Sequence, residues 1–252
     1  MTVTVWQKWV VLSDHDIHDI MTMRRLCNTK MKVIRRQCLK IVVITMSALL
    51  YNEFLVYYLV LLSCSYPEPP GSEVTSVPVM AVADTHLLGS RLGHWADKLR
   101  REWQMHRTFQ TAQTLFAPKH IFFLGKNSFH SKSFFDFLCC LGDLFDEGKW
   151  CPPAEFEYYV ARFWSLFKVD SSKTRVHVMA GNHDIGFHYA VNPHLDSRFR
   201  EAFKTKAVQL SVLEKTIPIV RINSMAFEGD SCFLCKEAKK NLETVKNKLK
   251  VL

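Results

Sequence analysis

Three short stretches of the chain place carboxylates, imidazoles and an amide close behind apolar residues. They are DTH at 84–86, GDLFDEG at 142–148 and GNHD at 181–184. Because alternate residues of an extended chain point the same way, Asp84 and His86 can bind one metal ion with two side chains. Each stretch alone is also compatible with an ordinary polar turn. Three of them in one chain predict a shared metal site.

Such a set of side chains suits the hydrolysis of a phosphate ester. Two divalent ions about 3.5 to 4 Å apart can neutralise charge on the attacking and leaving oxygens. Ions this close repel each other, so a carboxylate must be shared between them, and Asp143 suits that position. Asp84 and His86 suit one ion, and Asn182 suits the other.

The remaining polar residues suit supporting roles. His183 can protonate the leaving oxygen as a catalytic acid. Asp146 and Asp184 are expected to orient the ligands through hydrogen bonds rather than to bind the ions. The alternatives without chemistry are a helix cap at Asp84, a surface histidine at 86 and a turn residue at 143.

The elements that must position these residues are strands that end at one edge of a sheet. Apolar runs predict four strands, at 77–83, 120–124, 176–180 and 217–222. Helices are expected at about 92–116 and 153–167. Ligands of open α/β sheets bind at the carboxyl ends of the strands. The predicted fold class is therefore α/β, with a mixed sheet.

The order of DTH, GDLFDEG and GNHD resembles that of the calcineurin-like metallophosphoesterases. Four longer stretches resemble the membrane-bound members that remove ethanolamine phosphate from GPI anchors. They are ADTHLLG, LGHWADKLRREWQMHRTFQTA, DLFDEGKW and VMAGNHDIGFHY. The resemblance covers about residues 30–238. It implies an α-β-β-α sandwich with a mixed sheet, of which this chain would hold the N-terminal part.

The resemblance also implies chemistry, substrates and location. It implies two divalent metal ions, usually manganese, held by Asp84, His86, Asp143 and Asn182, with His183 as the acid for the leaving group. The implied substrates are GPI-anchored proteins. The implied location is the membrane of the endoplasmic reticulum, the ER–Golgi intermediate compartment or the Golgi, with the catalytic domain in the lumen.

The chain departs from the family pattern at two places. Residues 126–142 form an insert between the strand at 120–124 and Asp143. Either residues 134–141 replace that strand, or the strand at 121–124 is kept and Asp143 is displaced. After Asp184 the sequence also lacks the Gly-His and Gly-His-x-His that the resemblance implies. The alternative function is therefore a catalytically inactive, truncated membrane isoform with an incomplete metal site.

Residues 41–62 form an apolar segment that predicts a transmembrane helix. As a helix the segment spans about 33 Å, which is enough to cross a bilayer. Seven Lys and Arg residues lie between positions 24 and 40, and none lies between 63 and 80. By the positive-inside rule, residues 1–40 are expected in the cytosol and everything after 62 in the lumen. The alternative is a buried core helix.

The basic charge of the chain lies mostly at its two ends. The net charge of +9 includes eight Lys and Arg against three Asp in residues 1–40, and six Lys against two Glu in residues 236–250. A basic face on the folded body is therefore not expected, and nucleic acid is excluded as a partner. The bilayer is the expected macromolecular surface.

The rest of the chain divides into a linker, a domain and a helix. Residues 63–76 are rich in Pro, Ser and Gly and predict a linker. An incomplete phosphoesterase domain is expected at 77–235, and an amphipathic helix at 236–252 on the spacing of Ala238, Leu242, Val245 and Leu249. Cys232 and Cys235 have CxxC spacing, which fits half of a zinc site or a local disulfide.

Overall fold

The computed structural model describes residues 14–66, 76–124, 138–139, 143–187, 190–227, 229 and 231–250. Most of the predicted insert at 126–142 and most of the predicted linker at 63–76 lie outside these residues. The chain divides into two compact units, Met1–Val56 and Tyr57–Leu252. Each unit is described by itself.

The N-terminal unit is helical over its described length. Helix α1 spans Asp14–Leu50, a π-helical turn spans Tyr51–Leu55, and helix α2, Val56–Leu62, follows. The turn has a local cause, because Nδ2 of Asn52 donates to the carbonyl oxygen of Ala48 at 2.9 Å and competes with the helical backbone. The stretch Met21–Leu62 is long and apolar enough to cross a membrane. Its most apolar window is 0% buried, which argues against a core helix.

The second unit begins at Tyr57, within helix α2, and contains a three-stranded parallel sheet. Its order is β1, β2, β4, with β1 at Val79–Ala83, β2 at His120–Leu124 and β4 at Arg175–Val178. Helix α3, Trp95–Phe116, connects β1 to β2, and helix α4, Pro153–Leu166, precedes β4. The predicted strand at 176–180 is thus shifted, because it ends at Val178. The register pairs Ala83 with Leu124, so the carboxyl ends of the strands meet at one edge.

The second sheet is mixed, as the sequence predicts. Strand β3, Leu138–Cys139, runs parallel to β6, Ile217–Ile222, and β5, Val208–Leu213, runs antiparallel to β6. The sequence did not predict β3 or β5. It also did not predict the short helix α5, Asn182–Ile185, or helix α6, Pro193–Phe203. Helix α7 spans Phe233–Leu249. Short 3-10 turns occur at Gly148–Trp150 and Ser224–Phe227.

One hydrophobic core joins helices and both sheets. On β2, Ile121 and Phe123 point into this core, and Phe122 points to a smaller cluster on the opposite face of the strand. Such alternation is the period of a strand buried on both sides. The core also takes Ala238 and Val245 from α7, with Leu242 and Leu249 packed against it. The apolar face of α7 therefore belongs to the domain core.

The structure confirms that the strand at 121–124 is kept, and it contradicts both the replacement of that strand by residues 134–141 and the displacement of Asp143. Strand β2 is the central strand of the parallel sheet, so residues 134–141 do not replace it. The two described residues of that segment, Leu138–Cys139, pair instead with β6. Asp143 is not displaced either, because its carbonyl oxygen accepts a hydrogen bond from the amide of His86 at 3.0 Å. The strand is kept and Asp143 still reaches the DTH loop.

Candidate metal centre

The three polar loops meet beyond the carboxyl edge of the parallel sheet. The DTH loop follows β1, the GNHD loop follows β4, and the segment after Asp143 lies beside the first of them. Leu87 and Phe145 form a parallel β-bridge. The amide of Leu87 donates to the carbonyl oxygen of Leu144 (2.8 Å), and the amide of Asp146 donates to that of Leu87 (3.1 Å). Backbone hydrogen bonds therefore fix the relative position of these two loops.

The DTH loop has a strained backbone. Asp84 and His86 have φ angles of 47° and 41°, in the left-handed region that costs about 1 to 2 kcal/mol for such residues. Between them, the buried Thr85 donates from Oγ1 to the carbonyl oxygen of Leu144 at 3.1 Å. Strain of this kind persists only where the surroundings impose it, and it concentrates at functional sites.

Asp184 connects the GNHD loop to the loop of Asp143. Its carboxylate is fully buried and accepts three backbone hydrogen bonds, from the amides of Gly181 (2.9 Å), Leu144 (3.2 Å) and Phe145 (3.0 Å). Burial raises the pKa of this carboxyl well above its usual range, and the three amide donors act in the opposite direction. The position agrees with an orienting residue, since Asp184 holds backbone on both sides of the site.

His86 lies between two carboxylates. Its Nδ1 donates to Oδ1 of Asp146 at 3.1 Å, and its Nε2 lies 3.7 Å from Oδ2 of Asp143. Two groups of side chains could each hold a metal ion, because the potential ligand atoms within each group lie within 4.8 Å of one another. The groups are Asp84, His86 and Asp143, and His86, Asp146 and His183. The first group is the predicted ligand set for one ion. The second adds Asp146, which was predicted only to orient ligands.

His183 is held by the loop that carries the two aspartates. Its backbone amide donates to Oδ1 of Asp143 at 2.9 Å, which places the preceding residue, Asn182, beside the same carboxylate. Its Nδ1 donates to the carbonyl oxygen of Asp146 at 2.9 Å. A carbonyl can only accept, so the proton is on Nδ1 and Nε2 is left for a ligand or a transferred proton. The side chain is 30% exposed.

These residues fit divalent metal ions. Carboxylates and imidazoles are ligands for first-row divalent metals, and both histidines have Nδ1 fixed by an oxygen acceptor, which is how metal-binding imidazoles are usually oriented. The structure brings together Asp84, His86, Asp143, Asp146 and His183, with Asn182 and Asp184 adjacent in the chain. Their individual roles stay predictions.

The sequence analysis missed residues that shape the same loops. Glu147 is fully buried and accepts hydrogen bonds from the backbone amides of Arg91 and Leu92. At Gly89, an added Cβ would clash with the carboxylate of Glu147. At Gly148, it would lie 2.9 Å from Cα of Asp184. In the sequence these two residues are the Glu-Gly pair directly after Asp146. Glu147 is the buried acid, and Gly148 permits the close approach of the backbone.

The chain resembles known proteins over most of its length. A family model described as calcineurin-like phosphoesterase matches residues 77–234. Metallophosphoesterase 1 of Pongo abelii is 41% identical over 219 residues, which are 84% of this chain and 50% of that protein. The proteins of that name from Xenopus laevis and Mus musculus are 44% identical over 209 residues (79% of this chain, 47% of that protein) and 40% identical over 215 residues (83% and 49%).

The match covers the whole candidate centre. Residues 77–234 include the DTH, GDLFDEG and GNHD loops, whose side chains meet at the edge of the parallel sheet. The chain spans about half the length of the curated relatives it matches. No solved structure matches it. The family match and the relatives establish that the chain belongs to the calcineurin-like phosphoesterase family, a family of metal-dependent hydrolases.

Proposed function

We propose that the chain is a metal-dependent phosphodiesterase that removes ethanolamine phosphate from GPI anchors. The observation that carries the proposal is the meeting of two overlapping His and Asp groups, Asp84–His86–Asp143 and His86–Asp146–His183, within a calcineurin-like domain. The GPI substrate rests on the resemblance of the longer sequence stretches. Manganese is the proposed metal, since carboxylate, amide and imidazole ligands suit it.

The residues of the chain divide the work of hydrolysis. Divalent ions held by Asp84, His86, Asp143 and Asn182 would neutralise the phosphate and activate a water molecule. His183 is positioned to give a proton to the leaving oxygen from Nε2, because Nδ1 is engaged by Asp146. Oδ1 of Asp146 lies 3.6 Å from Nδ1 of His183 and would stabilise the protonated ring.

The exposed Trp150 and the half-buried Lys149, near His183, support a glycan phosphate as substrate. The indole of Trp150 is 56% exposed, and its ring centroid lies 6.5 Å from that of His183. Nζ of Lys149 lies 4.7 Å from the centroid of the same indole. A flat aromatic face can contact a sugar ring, and an ammonium group can contact a phosphate oxygen. These residues provide both contacts next to the proposed acid.

The proposed location is the lumenal face of an early secretory membrane, in the endoplasmic reticulum, the intermediate compartment or the Golgi. The helix Met21–Leu62 supports a membrane anchor by its length and composition. Seven Lys and Arg residues lie between positions 24 and 40, and a basic flank of this kind favours a cytosolic N-terminus. An anchored domain on the lumenal side would meet GPI-anchored proteins, the proposed partners, at the membrane surface.

The second candidate is a protein that binds metal without turnover. It is favoured by the position of His86, which belongs to both groups of potential ligands. If His86 binds the ion of one group, only two residues of the other group remain to bind the second ion. A two-metal hydrolase needs both ions on the phosphate oxygens.

One experiment separates the two candidates. The purified 252-residue chain is titrated with Mn²⁺ by calorimetry and assayed for release of ethanolamine phosphate from a synthetic mannosyl phosphodiester. The enzyme predicts Mn²⁺-dependent release that is lost in Asp143→Asn and kept in Asp170→Asn, a matched change at an exposed carboxylate. Mn²⁺ binding without release supports the second candidate. If the chain neither binds Mn²⁺ nor releases ethanolamine phosphate, both candidates are contradicted.

A further inference from the structure

Cys232 and Cys235 lie in contact at the start of α7. Their Sγ atoms are 2.7 Å apart, and the amide of Cys235 donates to the carbonyl oxygen of Cys232 at 3.0 Å. A disulfide bond is about 2.05 Å long, so a movement of roughly 0.7 Å closes the distance. Cys235 is buried and Cys232 is partly exposed. One sulfur of the pair is therefore accessible to an oxidant.

The surroundings argue against zinc at this pair. A structural zinc site needs four ligands, usually Cys and His. Within the ranges that the structure describes, the groups of three or more potential metal ligands lie at the candidate centre and include neither cysteine. Of the two readings of CxxC, the structure favours the disulfide.

A series of contacts leads from the pair to the candidate centre. Sγ of Cys232 lies 3.6 Å from the carbonyl oxygen of Met225. The amide of Met225 donates to Oδ1 of Asn223 at 3.1 Å, and Nδ2 of Asn223 donates to the carbonyl oxygen of Ala180 at 3.3 Å. Ala180 directly precedes the GNHD loop, and the amide of Gly181 donates to Asp184. The pair thus lies at one end of the hydrogen bonds that support this loop.

We propose that Cys232 and Cys235 form an intrachain disulfide that braces the first turn of α7, next to the turn Ser224–Phe227. The oxidant is a disulfide such as glutathione disulfide. The thiolate of Cys232 attacks it, a mixed disulfide forms, and one glutathione thiolate leaves. The thiolate of Cys235 then attacks Sγ of Cys232 and expels the second glutathione. The protein loses two electrons and two protons, and both are taken up by the two glutathione thiols.

The bond is tested on the folded, full chain. The protein is equilibrated with glutathione disulfide, alkylated without reduction, and digested with trypsin, which cleaves after Arg221 and Lys236. We expect the peptide 222–236 to be lighter by two hydrogens and to carry no alkyl group, and to carry two alkyl groups after reduction. Cys27, Cys38 and Cys64 are exposed, and their alkylation after reduction serves as the control for the alkylating reagent.

Three results would overturn the proposal of a disulfide bond. They are two alkyl groups on peptide 222–236 in the oxidising buffer, a stable glutathione adduct on it, or one equivalent of zinc that is retained by the chain and lost in Cys235→Ser. None of these readouts depends on phosphodiesterase activity. The disulfide can therefore fail while the proposed function holds, and the reverse.

The brace is tested by residue-resolved hydrogen exchange. Reduction should speed exchange of the Cys235 amide, which donates to the carbonyl oxygen of Cys232 inside the turn that the disulfide closes, by about tenfold, because local opening then requires less. The amide of Phe167, which bonds to Phe163 within the α4 core, should not change. The double variant Cys232→Ser/Cys235→Ser should show the faster exchange and no response to reductant. Equal exchange in the oxidised and reduced chain would overturn the brace.

Discussion

Two aspartates of the candidate centre show how environment divides the work of one residue type. The Asp184 carboxylate is fully buried and accepts backbone hydrogen bonds from two different loops. The Asp143 side chain is 13% exposed, and one of its oxygens lies 3.7 Å from the Nε2 of His86. Asp143 can therefore reach a ligand, whereas Asp184 can only hold the protein that surrounds it. The sequence GNHD marks both the metal loop and its support.

Replacing Asp184 by Asn should destabilise the fold and weaken metal binding. The new amide nitrogen would face the backbone N–H groups of Gly181 and Leu144, or that of Phe145, so donors would oppose donors. Leaving buried groups unsatisfied costs about 1 to 3 kcal/mol. Urea denaturation measures the loss, and calorimetry with Mn²⁺ measures binding. Asp170→Asn, at an exposed carboxylate, is the control and should change neither. Unchanged stability in Asp184→Asn would contradict the role given to Asp184.

Gly148 permits a close approach that no side chain can share. A Cβ at this position would lie 2.9 Å from Cα of Asp184 and 3.0 Å from the carbonyl oxygen of His183, and both are backbone atoms. Gly148→Ala should therefore move the GNHD loop, cost about 1 to 3 kcal/mol of the free energy of unfolding, and weaken Mn²⁺ binding.

The matched control for Gly148 is Gly229→Ala. Gly229 has a φ of +85° and nothing within 4 Å of an added Cβ, so its substitution strains only the backbone. Thermal unfolding should report a loss in both variants, of about 1 kcal/mol at Gly229. Calorimetry should report weaker Mn²⁺ binding for Gly148→Ala alone. Equal binding in the two variants would show that the clash does not reach the centre.

At the scale of elements, the parallel sheet could be predicted and the mixed sheet mostly could not. Strand β1 and residues 121–124 of β2 are continuous apolar runs, which is the pattern of buried parallel strands, and β4 has the mixed sequence Arg-Val-His-Val at the start of a longer apolar run. Strand β3 has two residues and pairs 83 positions away with Arg221 and Ile222. Too few residues show a period there, and nothing local specifies so distant a partner.

The presence or absence of local sequence signals explains which of the other features could be predicted. Helix α6 begins at Asn192-Pro193, a cap and first-turn pair whose Asn side chain accepts from the amide of His194 at 2.8 Å; this signal was present and was overlooked. The burial of Asp184 and Glu147 could not be predicted in this way. It arises where three loops close over each other, and hydrophobic periodicity carries no information on that packing.

The contact between β2 and β4 predicts a dependence of stability on pH. His177 stacks on Phe122 with ring centroids 4.5 Å apart, and its Nε2 lies 3.1 Å from Nδ1 of the buried His120. Burial first, and then the positive charges of Arg221, His120 and Arg175, together lower the pKa of His177 from 6.5 to about 3. The native state therefore holds this imidazole neutral over a range in which the unfolded chain protonates it.

The sign follows from proton uptake by the unfolded chain. Between pH 6.5 and about 3 the unfolded state binds one more proton at His177 than the native state, so stability falls as the pH falls, by at most about 1.4 kcal/mol per pH unit. Urea denaturation across that range should show the slope in the wild type and a flatter one in His177→Gln. His194→Gln, at an exposed histidine, is the control. Equal slopes in His177→Gln and the wild type would contradict the prediction.

At the scale of the whole molecule, the chain combines a long helix with a folded domain. Helix α1 carries the basic residues between positions 24 and 40 and continues, through a π-helical turn, to Leu62. Basic charge thus lies at one end of the apolar segment, and the segment is followed by a stretch without Lys or Arg up to residue 80. This asymmetry is what orients a single membrane span.

The orientation predicts where the chain can be glycosylated. The native sequence contains no Asn-x-Ser/Thr acceptor site, so any glycan reports an engineered position. An acceptor near Ser76 should be modified in microsomes, because the proposed orientation has the N-terminus in the cytosol and residue 76 in the lumen. An acceptor near Thr4 should remain unmodified. The readout is a shift in gel mobility that endoglycosidase reverses, and the matched control carries Asn-Pro-Thr, which is not an acceptor.

Modification near Thr4 alone would reverse the topology and place the candidate centre in the cytosol, away from lumenal GPI glycans. Modification at neither position would mean that the helix does not cross the membrane, and the proposed location would then fail while the metal centre could still be tested on its own.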